Sequence, residues 1–329
     1  MTATIIDRIG AEPRERPTAG LWGQALGRLL RNRLAVAGLA LICAFSLVGL
    51  LAPLIAPYDP GSQDIAASFE DPSIEHPMGT DILGRDWLSR LIFGARLSIG
   101  VGFVAQAIVL GIGLPLGLIA GYASGRLDNL LMRFTDLFYA FPDLLLIILL
   151  RSVLGGGVFM LILIIGFVGW VDMARLARGQ ALALRQREFV EAARSLGATH
   201  RQILFRHLLP NLIGPVIVLV SFGIPRAIFA EAALGFMGVG LDPATPSWGT
   251  MVHVGYGAIS SYPHLVLFPS LAIALLMLSF TFVGDGLRDA LDPKITSRPR
   301  GKAEIDLPRG GRRRGQAAPE RPAAGERAA

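Results

Sequence analysis

Apolar and polar residues follow one another along this chain in long blocks. Six apolar blocks stand out, at roughly 34–56, 97–121, 134–153, 157–177, 212–237 and 264–286. Each is close to, or longer than, the ~20 residues that a helix needs to cross a bilayer. The pattern predicts an all-α integral membrane protein with six transmembrane helices. A polar, Arg-containing segment (1–33) precedes the first block, which has 23 residues. That is too long for a signal-peptide core, and no small-residue cleavage site follows, so the first block reads as a retained anchor helix. Pro142 predicts a kink in the third span. The fourth and fifth spans are rich in glycine and other small residues, as packed membrane helices are.

Composition agrees with a membrane class. Only 17% of residues are charged, against about 25% in soluble domains, and the mean hydropathy is +0.53. The net charge of +6 would suit nucleic acid or anionic lipid if it were clustered. Its placement indicates topology instead. With the N-terminus in the cytoplasm, 26 Lys and Arg fall on that side and 4 on the other, leaving Arg226 within a span. The 57–96 loop, on the outer side in this scheme, carries seven carboxylates. The 291–329 tail is built of Pro, Gly, Ala, Arg and Glu, including a basic 309–315 run, and reads as a disordered, solvated cytoplasmic tail. Cys43 is the single cysteine, which excludes an intrachain disulfide and a cysteine metal cluster, and five scattered His predict no metal site.

One polar stretch interrupts the apolar half of the chain: EFVEAARSLGATHRQILFRHLLPN, residues 188–211. Phe189, Ala192, Ala193 and Leu196 recur at i, i+3, i+4 and i+7 and predict one apolar helix face. Gly197 suits the left-handed residue that ends a helix. Thr199 to Gln202 fits a capping box and starts a second helix. Ile203, Leu204, His207 and Leu208 share its apolar side, and Pro210 is expected to end it and to suit the entry to the fifth span. Three roles fit two short helices about a glycine: an amphipathic loop on the membrane surface, a DNA-binding helix-turn-helix, and a docking element for a cytoplasmic protein. Ten residues separate the stretch from the span before it, and it runs directly into the span after it. A DNA duplex would collide with the bilayer there, and the compact caps favour docking.

Glu191-Ala192-Ala193, then Gly197, then His207-Leu208-Leu209-Pro210 resembles the EAA loop of ABC-importer permeases, EAA-x3-G-x9-I-x-L-P. His207 stands where the general pattern has an aliphatic residue, and the peptide branch often has His there. HPMGTDILGRDWLSRLIFGARLS (76–98), AEAALGFMGVGLDPATPSWGTM (230–251), GDGLRDALDPK (284–294), Arg133-x-x-Asp136 and Ala140-Phe141-Pro142 resemble further segments of the dipeptide, oligopeptide and nickel permeases. Gly235, where the branch commonly has Ser, and Pro225-Arg226 depart from its pattern. The resemblance implies a type I ABC importer permease core (MetI-like) over 97–290 with one additional N-terminal helix, in the second-permease, C-type branch. It implies a second homologous permease subunit, two cytoplasmic ATPase subunits that bind ATP and Mg²⁺, and an extracytoplasmic solute-binding protein. It also implies a bacterial inner membrane location with both termini cytoplasmic, and transport by alternating access. On this resemblance the 178–211 loop couples to the ATPase through Glu191, Ala192, Ala193, Gly197, His207, Leu209 and Pro210, with Glu191 meeting a basic group in the ATPase groove.

The chemistry that is missing fits that division of labour. The sequence has no G-x-x-x-x-G-K-[ST] phosphate loop, because Gly155-Gly156-Gly157 lacks the lysine. No catalytic residue, metal ligand or cofactor of its own is expected. Arg226 lies near the middle of the fifth span, where a charge costs about 2.5–3.5 kcal/mol on insertion scales. It is expected either to make an interhelical ion pair or a polar cluster with backbone carbonyls, or to line the pathway and meet a carboxylate of a peptide-like substrate; Glu231 lies five residues on. Arg133 and Asp136 are expected to pair. Residues 81–95, with Trp87, Leu88, Leu91 and Ile92 on one face, read as an interfacial helix with an aromatic anchor, as a helix packing on the bundle, or as a contact for an external binding protein. The competing class is an ion-coupled secondary transporter using Glu231, Asp172 and Asp285, the last two near span ends. Within the permease branch, dipeptides, longer peptides, nickel chelates, glutathione and opines all remain compatible substrates.

Overall fold

The computed structural model describes residues 21–291. The expectations for residues 1–20 and for the tail from 292, including its basic run, lie outside the described residues. Among the described residues every regular element is helical, apart from an isolated bridge between Thr80 and Asp86. Five helices are long and apolar enough to cross a membrane, or six if one bent pair counts as a span.

Helix α1 (Leu21–Leu29) precedes α2 (Arg33–Leu50), whose first turn is capped by Asn32 Oδ1 accepting from Leu34 N at 3.1 Å. The chain breaks at Leu51 into a single further turn, α3 (Ala52–Ile55), with Pro53 in its first turn. Helix α4 (Trp87–Ala123) runs for 37 residues. At 1.5 Å per residue that is roughly 55 Å, well beyond the ~30 Å hydrocarbon core. The separate interfacial helix expected over 81–95 is therefore not present. Asp86 caps α4 by accepting from Ser89 N at 2.7 Å, and Trp87 is wholly buried, its indole donating to Leu265 O at 3.1 Å. The stretch packs on the bundle instead, with Trp87 and Leu91 in one apolar cluster with Trp248, Met251 and Leu265.

The third predicted span is also revised. Helix α5 (Gly125–Tyr139) and α6 (Asp143–Leu154) meet at 83°. Pro142 supplies the break, since it has no N–H and forces its predecessor out of the helical region. Residues 134–139 thus belong to an amphipathic helix, not to the membrane segment that follows. Asp136 of α5 pairs with Arg175 at 2.6 Å and not with Arg133; its neighbour on the same helix, Asp128, pairs with Arg178 at 2.5 Å. Both arginines sit on α7 (Val158–Leu184). Across-helix pairing satisfies the carboxylates of α5 and clamps the helix against α7.

Beyond α7 come α8 (Glu188–Ser195), α9 (His200–Gln202), a π-helical turn (Ile203–Leu208) and α10 (Leu209–Phe236). Helices α11 (Trp248–Tyr256) and α12 (His264–Leu291) complete the bundle. Pro210 does not end a helix, contrary to expectation: residues 200–236 form one continuous helical column. The π turn absorbs the proline, with Leu209 N donating to Leu204 O five residues back. Pro210 then falls in the first turn of α10, where its missing N–H is not needed.

The helices are held by close backbone approach more than by large side chains. Gly113, Gly117 and Gly121 lie four apart on α4 and face α7. A Cβ at Gly113 would lie 2.5 Å from Trp170 O, and one at Gly121 2.5 Å from Arg178 O; at Gly117 it would overlap Ala174 O. Lipid tails give no hydrophobic drive for helix pairing, so such small-residue contacts carry the association. The same device joins α10 to α11: a Cβ at Gly235 would lie 2.8 Å from Gly249 C, which rationalises glycine where the branch commonly has serine. We predict that Gly117→Val destabilises the chain by more than the ~1–3 kcal/mol typical of overpacking, because backbone must move. Gly111, with open space around it, should accept the same change. Thermal unfolding of the assembled protein in detergent checks this; equal midpoints for the two variants would contradict it.

Candidate functional site: the elbow and the charged cavity

Two regions concentrate the polar chemistry. The first is the elbow between α7 and α10. Helix α8 ends in a Schellman motif: Ala198 N donates to Ala193 O at 3.0 Å and Gly197 N to Arg194 O at 2.9 Å. Gly197 has φ +84°, a conformation costly for residues with a Cβ. Two residues later the Thr199–Gln202 capping box opens α9, with both reciprocal bonds formed. Val190 turns inward into one apolar cluster with Ile203 and Leu208, and Ala193 is buried beside it on the same helix. The expected apolar face is corrected in part: Ala193 is buried, but Phe189, Ala192 and Leu196 are exposed, Leu196 at 88%. The helix has apolar residues on two sides, and the side that packs on its own column is the narrower one.

The elbow is tied to the end of α4 through Tyr122. Its hydroxyl lies 2.6 Å from His200 Nδ1, Arg194 sits 5.7 Å from its ring centroid, and Arg185 donates to its carbonyl at 3.3 Å. Glu191 is exposed and borders this region, with no ion-pair partner among the described residues. His207 and Leu209 are half-buried and Pro210 is exposed along the start of the α10 column.

The second region is a cavity of about 500 Å³ between α4, α6, α7 and α10. Arg226 projects into it and pairs with Asp172 of α7 at 2.5 Å and with Asp143, the first residue of α6. Asp172 is the fifteenth of the 27 residues of α7, so it lies mid-helix and not near a span end as expected. Gln106 of α4 lines the same space. Glu231 does not: it is buried against α4 and α11, accepting from Ser98 Oγ at 3.0 Å. The sequence singles out Arg226, and Asp172 for the ion-coupled alternative, but does not connect the two and leaves out Asp143 and Gln106. The signal available was charge pairing at depth, since a cation in a span needs an anion in a neighbouring one.

A helical bundle that gathers Gln106, Asp143, Asp172 and Arg226 from four helices into one cavity and carries a capped elbow at one end has the parts a transport subunit needs. Residues 113–297 match the model of the binding-protein-dependent transport system inner membrane component, and residues 20–72 match the N-terminal transmembrane domain of oligopeptide transport permease C. The chain belongs to the family of binding-protein-dependent transport system inner membrane components. It is 41% identical over 87% of its length to the oligopeptide transport system permease protein OppC of Bacillus subtilis, covering 93% of that protein. It is 41% identical over 84% of its length to the dipeptide permease DppC of Alkalihalophilus pseudofirmus (91% covered), and 38% identical over 86% to the glutathione permease GsiD of Pectobacterium atrosepticum (95% covered). Its fold is similar to the inward-facing MetNI methionine ABC transporter. There 62% of this chain matches 97% of that chain at a TM-score of 0.53 and 21% identity.

The elbow geometry yields a prediction. Gly197→Val forces a β-branched residue to φ +84°, costing more than the ~1–2 kcal/mol of an ordinary left-handed residue. Gly197→Asn, which tolerates that conformation, should be mild. Limited proteolysis between Leu196 and Thr199 should accelerate in the valine variant only.

Proposed function

We propose that this chain is one permease half of an ATP-driven importer for di- or oligopeptides in a bacterial inner membrane, with both termini cytoplasmic. A second permease completes the pathway. Two ATPase subunits bind ATP and Mg²⁺ below it, and a solute-binding protein delivers substrate from outside. The observation that carries this reading is the elbow: a Schellman-capped helix and a capping box joined without a break to the 200–236 column.

The mechanism follows from that continuity. The exposed Phe189 and Leu196 offer an apolar docking face, and Glu191 beside it offers a carboxylate with no ion-pair partner among the described residues. Ala192 keeps that surface flat, and Ala193 seats the helix on its own column. Closure of the ATPase dimer on ATP displaces α8. Because α8 is pinned through Gly197, Thr199 and Tyr122, α10 moves with it. His207, Leu209 and Pro210 lie where elbow becomes span, so displacement enters the membrane there. The cavity at Arg226 sits along that same helix and changes access as α10 tilts. Transport requires that the closed ATPase bind one permease state more tightly than the other.

The ion-coupled alternative needs an intramembrane carboxylate free to take an ion. Of its candidates, Asp172 is paired with Arg226, while Glu231 accepts from Ser98 Oγ and keeps its second oxygen without a partner among the described residues, so reconstitution decides between the two readings. The test is reconstitution of this chain with its second permease, ATPases and binding protein in proteoliposomes. ATP-dependent peptide uptake, with no response to an imposed ion gradient alone, is the expected result. Gradient-driven uptake without the ATPases would overturn the reading.

A further inference from the structure

We infer that the cavity at Arg226 is a solute subsite within the membrane, built for a solute of short-peptide size that carries an ammonium group. This rests on the importer reading above and adds the chemistry of what passes.

Four polar side chains from four different helices reach one space: Gln106, Asp143, Asp172 and Arg226. Its volume of about 500 Å³ falls within the ~300–1,000 Å³ of small-molecule sites. The rest of the lining is apolar, with Val109, Ile147 and Phe222 among it. One carboxylate is enough to neutralise a guanidinium. Here two approach the same one, so the cluster carries a net charge of −1 at membrane depth. An excess carboxylate there is costly, and a cation brought by the solute offsets it. The three charged side chains are 63%, 46% and 42% exposed, so the cavity reaches them.

Gln106 is the independent observation. It is only 5% exposed, yet its carboxamide forms no hydrogen bond within the described residues. The amide fills the space a Cβ would take at Gly223, on the cavity wall. The amide atoms are open to the cavity and can take a partner there. A peptide bond supplies both the donor and the acceptor that it lacks.

Binding is then an exchange of partners. The solute ammonium takes Asp172 or Asp143. A solute carboxylate, where present, takes the guanidinium edge that is released, for which the planar fork of Arg226 is suited. Gln106 pairs with the backbone between them. No charge is left without a partner at any stage. A solute of net charge +1 brings the cluster to zero, a neutral zwitterion leaves it at −1, and an acidic solute makes it more negative. The order of preference is cationic, then neutral, then acidic.

The test uses the complete transporter in proteoliposomes with the binding protein saturated by each of Ala-Lys-Ala, Ala-Gln-Ala and Ala-Glu-Ala. Wild type should take up the lysine peptide at least about tenfold faster than the glutamate peptide, the size of one strong polar contact. Asp172→Asn, which keeps the Arg226–Asp143 pair, should reduce that ratio to near unity, and Asp172→Glu should restore it. Gln106→Leu should slow all three peptides alike. Equal wild-type rates for the three peptides would overturn the inference and leave the importer reading standing. So would an Asp172→Asn variant that slows all three equally, since that is the behaviour of a purely structural ion pair. If the asparagine variant fails to assemble, the wild-type ratio alone decides. Absence of any ATP-driven peptide uptake by wild type would overturn the importer reading and this inference with it.

Discussion

The close approach of α4 to α7 is the contact on which the rest depends. Gly113, Gly117 and Gly121 bring the two helices together until backbone carbonyls of α7 occupy the space of the missing Cβ atoms. In lipid nothing else of comparable strength pulls the two together. Once the seam is closed, α7 has a fixed position, and the elbow is suspended between it and α10. Asp128 and Asp136 then lash the amphipathic α5 to the same helix. The bend at Pro142 returns the chain to the bundle with Asp143 pointing at Arg226. The charged cavity exists because the seam has first placed Asp172.

The opposite end of the bundle is fixed by buried polar contacts. Arg85 pairs with Asp81 at 2.6 Å, His76 meets Asp86 at 2.9 Å, and Arg90 donates to Pro243 O at 2.7 Å. Removing one partner of such a buried pair strands the other, which is why these contacts make the 57–86 loop a fixed part of the structure. Arg151 closes the glycine turn between α6 and α7 by donating to Gly155 O at 2.7 Å and to Gly240 O at 2.8 Å. The two ends therefore differ in kind. One is locked by ions among carbonyls. The other presents a capped elbow whose Phe189 and Leu196 stay exposed among the described residues.

Much of this was legible in the sequence because it rests on local rules. The apolar blocks mark the spans, Pro142 marks the break, and Gly197 with Thr199 and Gln202 marks the turn and cap. What escaped depends on which residues meet across helices. Arg226 announces a partner but not that Asp143 and Asp172 both serve it. Trp87 looks interfacial by composition and is buried because Leu265 offers a carbonyl 178 positions away. Pro210 looks like a stop and is passed because the preceding turn relaxes to π geometry. The inward face of α8 is undecided in eight residues with apolar groups on two sides, and the cluster with Ile203 and Leu208 chooses Val190, with Ala193 buried beside it.

The central claim is that α8 and α10 move as one body. With Cys43, the single cysteine, replaced by serine, spin labels at Ser195 and Ile213 report the distance across the elbow in the assembled transporter. A further label pair from Ile213 to the second permease reports the movement of α10. On trapping the ATP-bound state, the Ser195–Ile213 distance should stay unchanged while the distance between subunits shifts. A change across the elbow with α10 stationary would contradict the account, because the elbow would then be a hinge and could not carry work into the membrane.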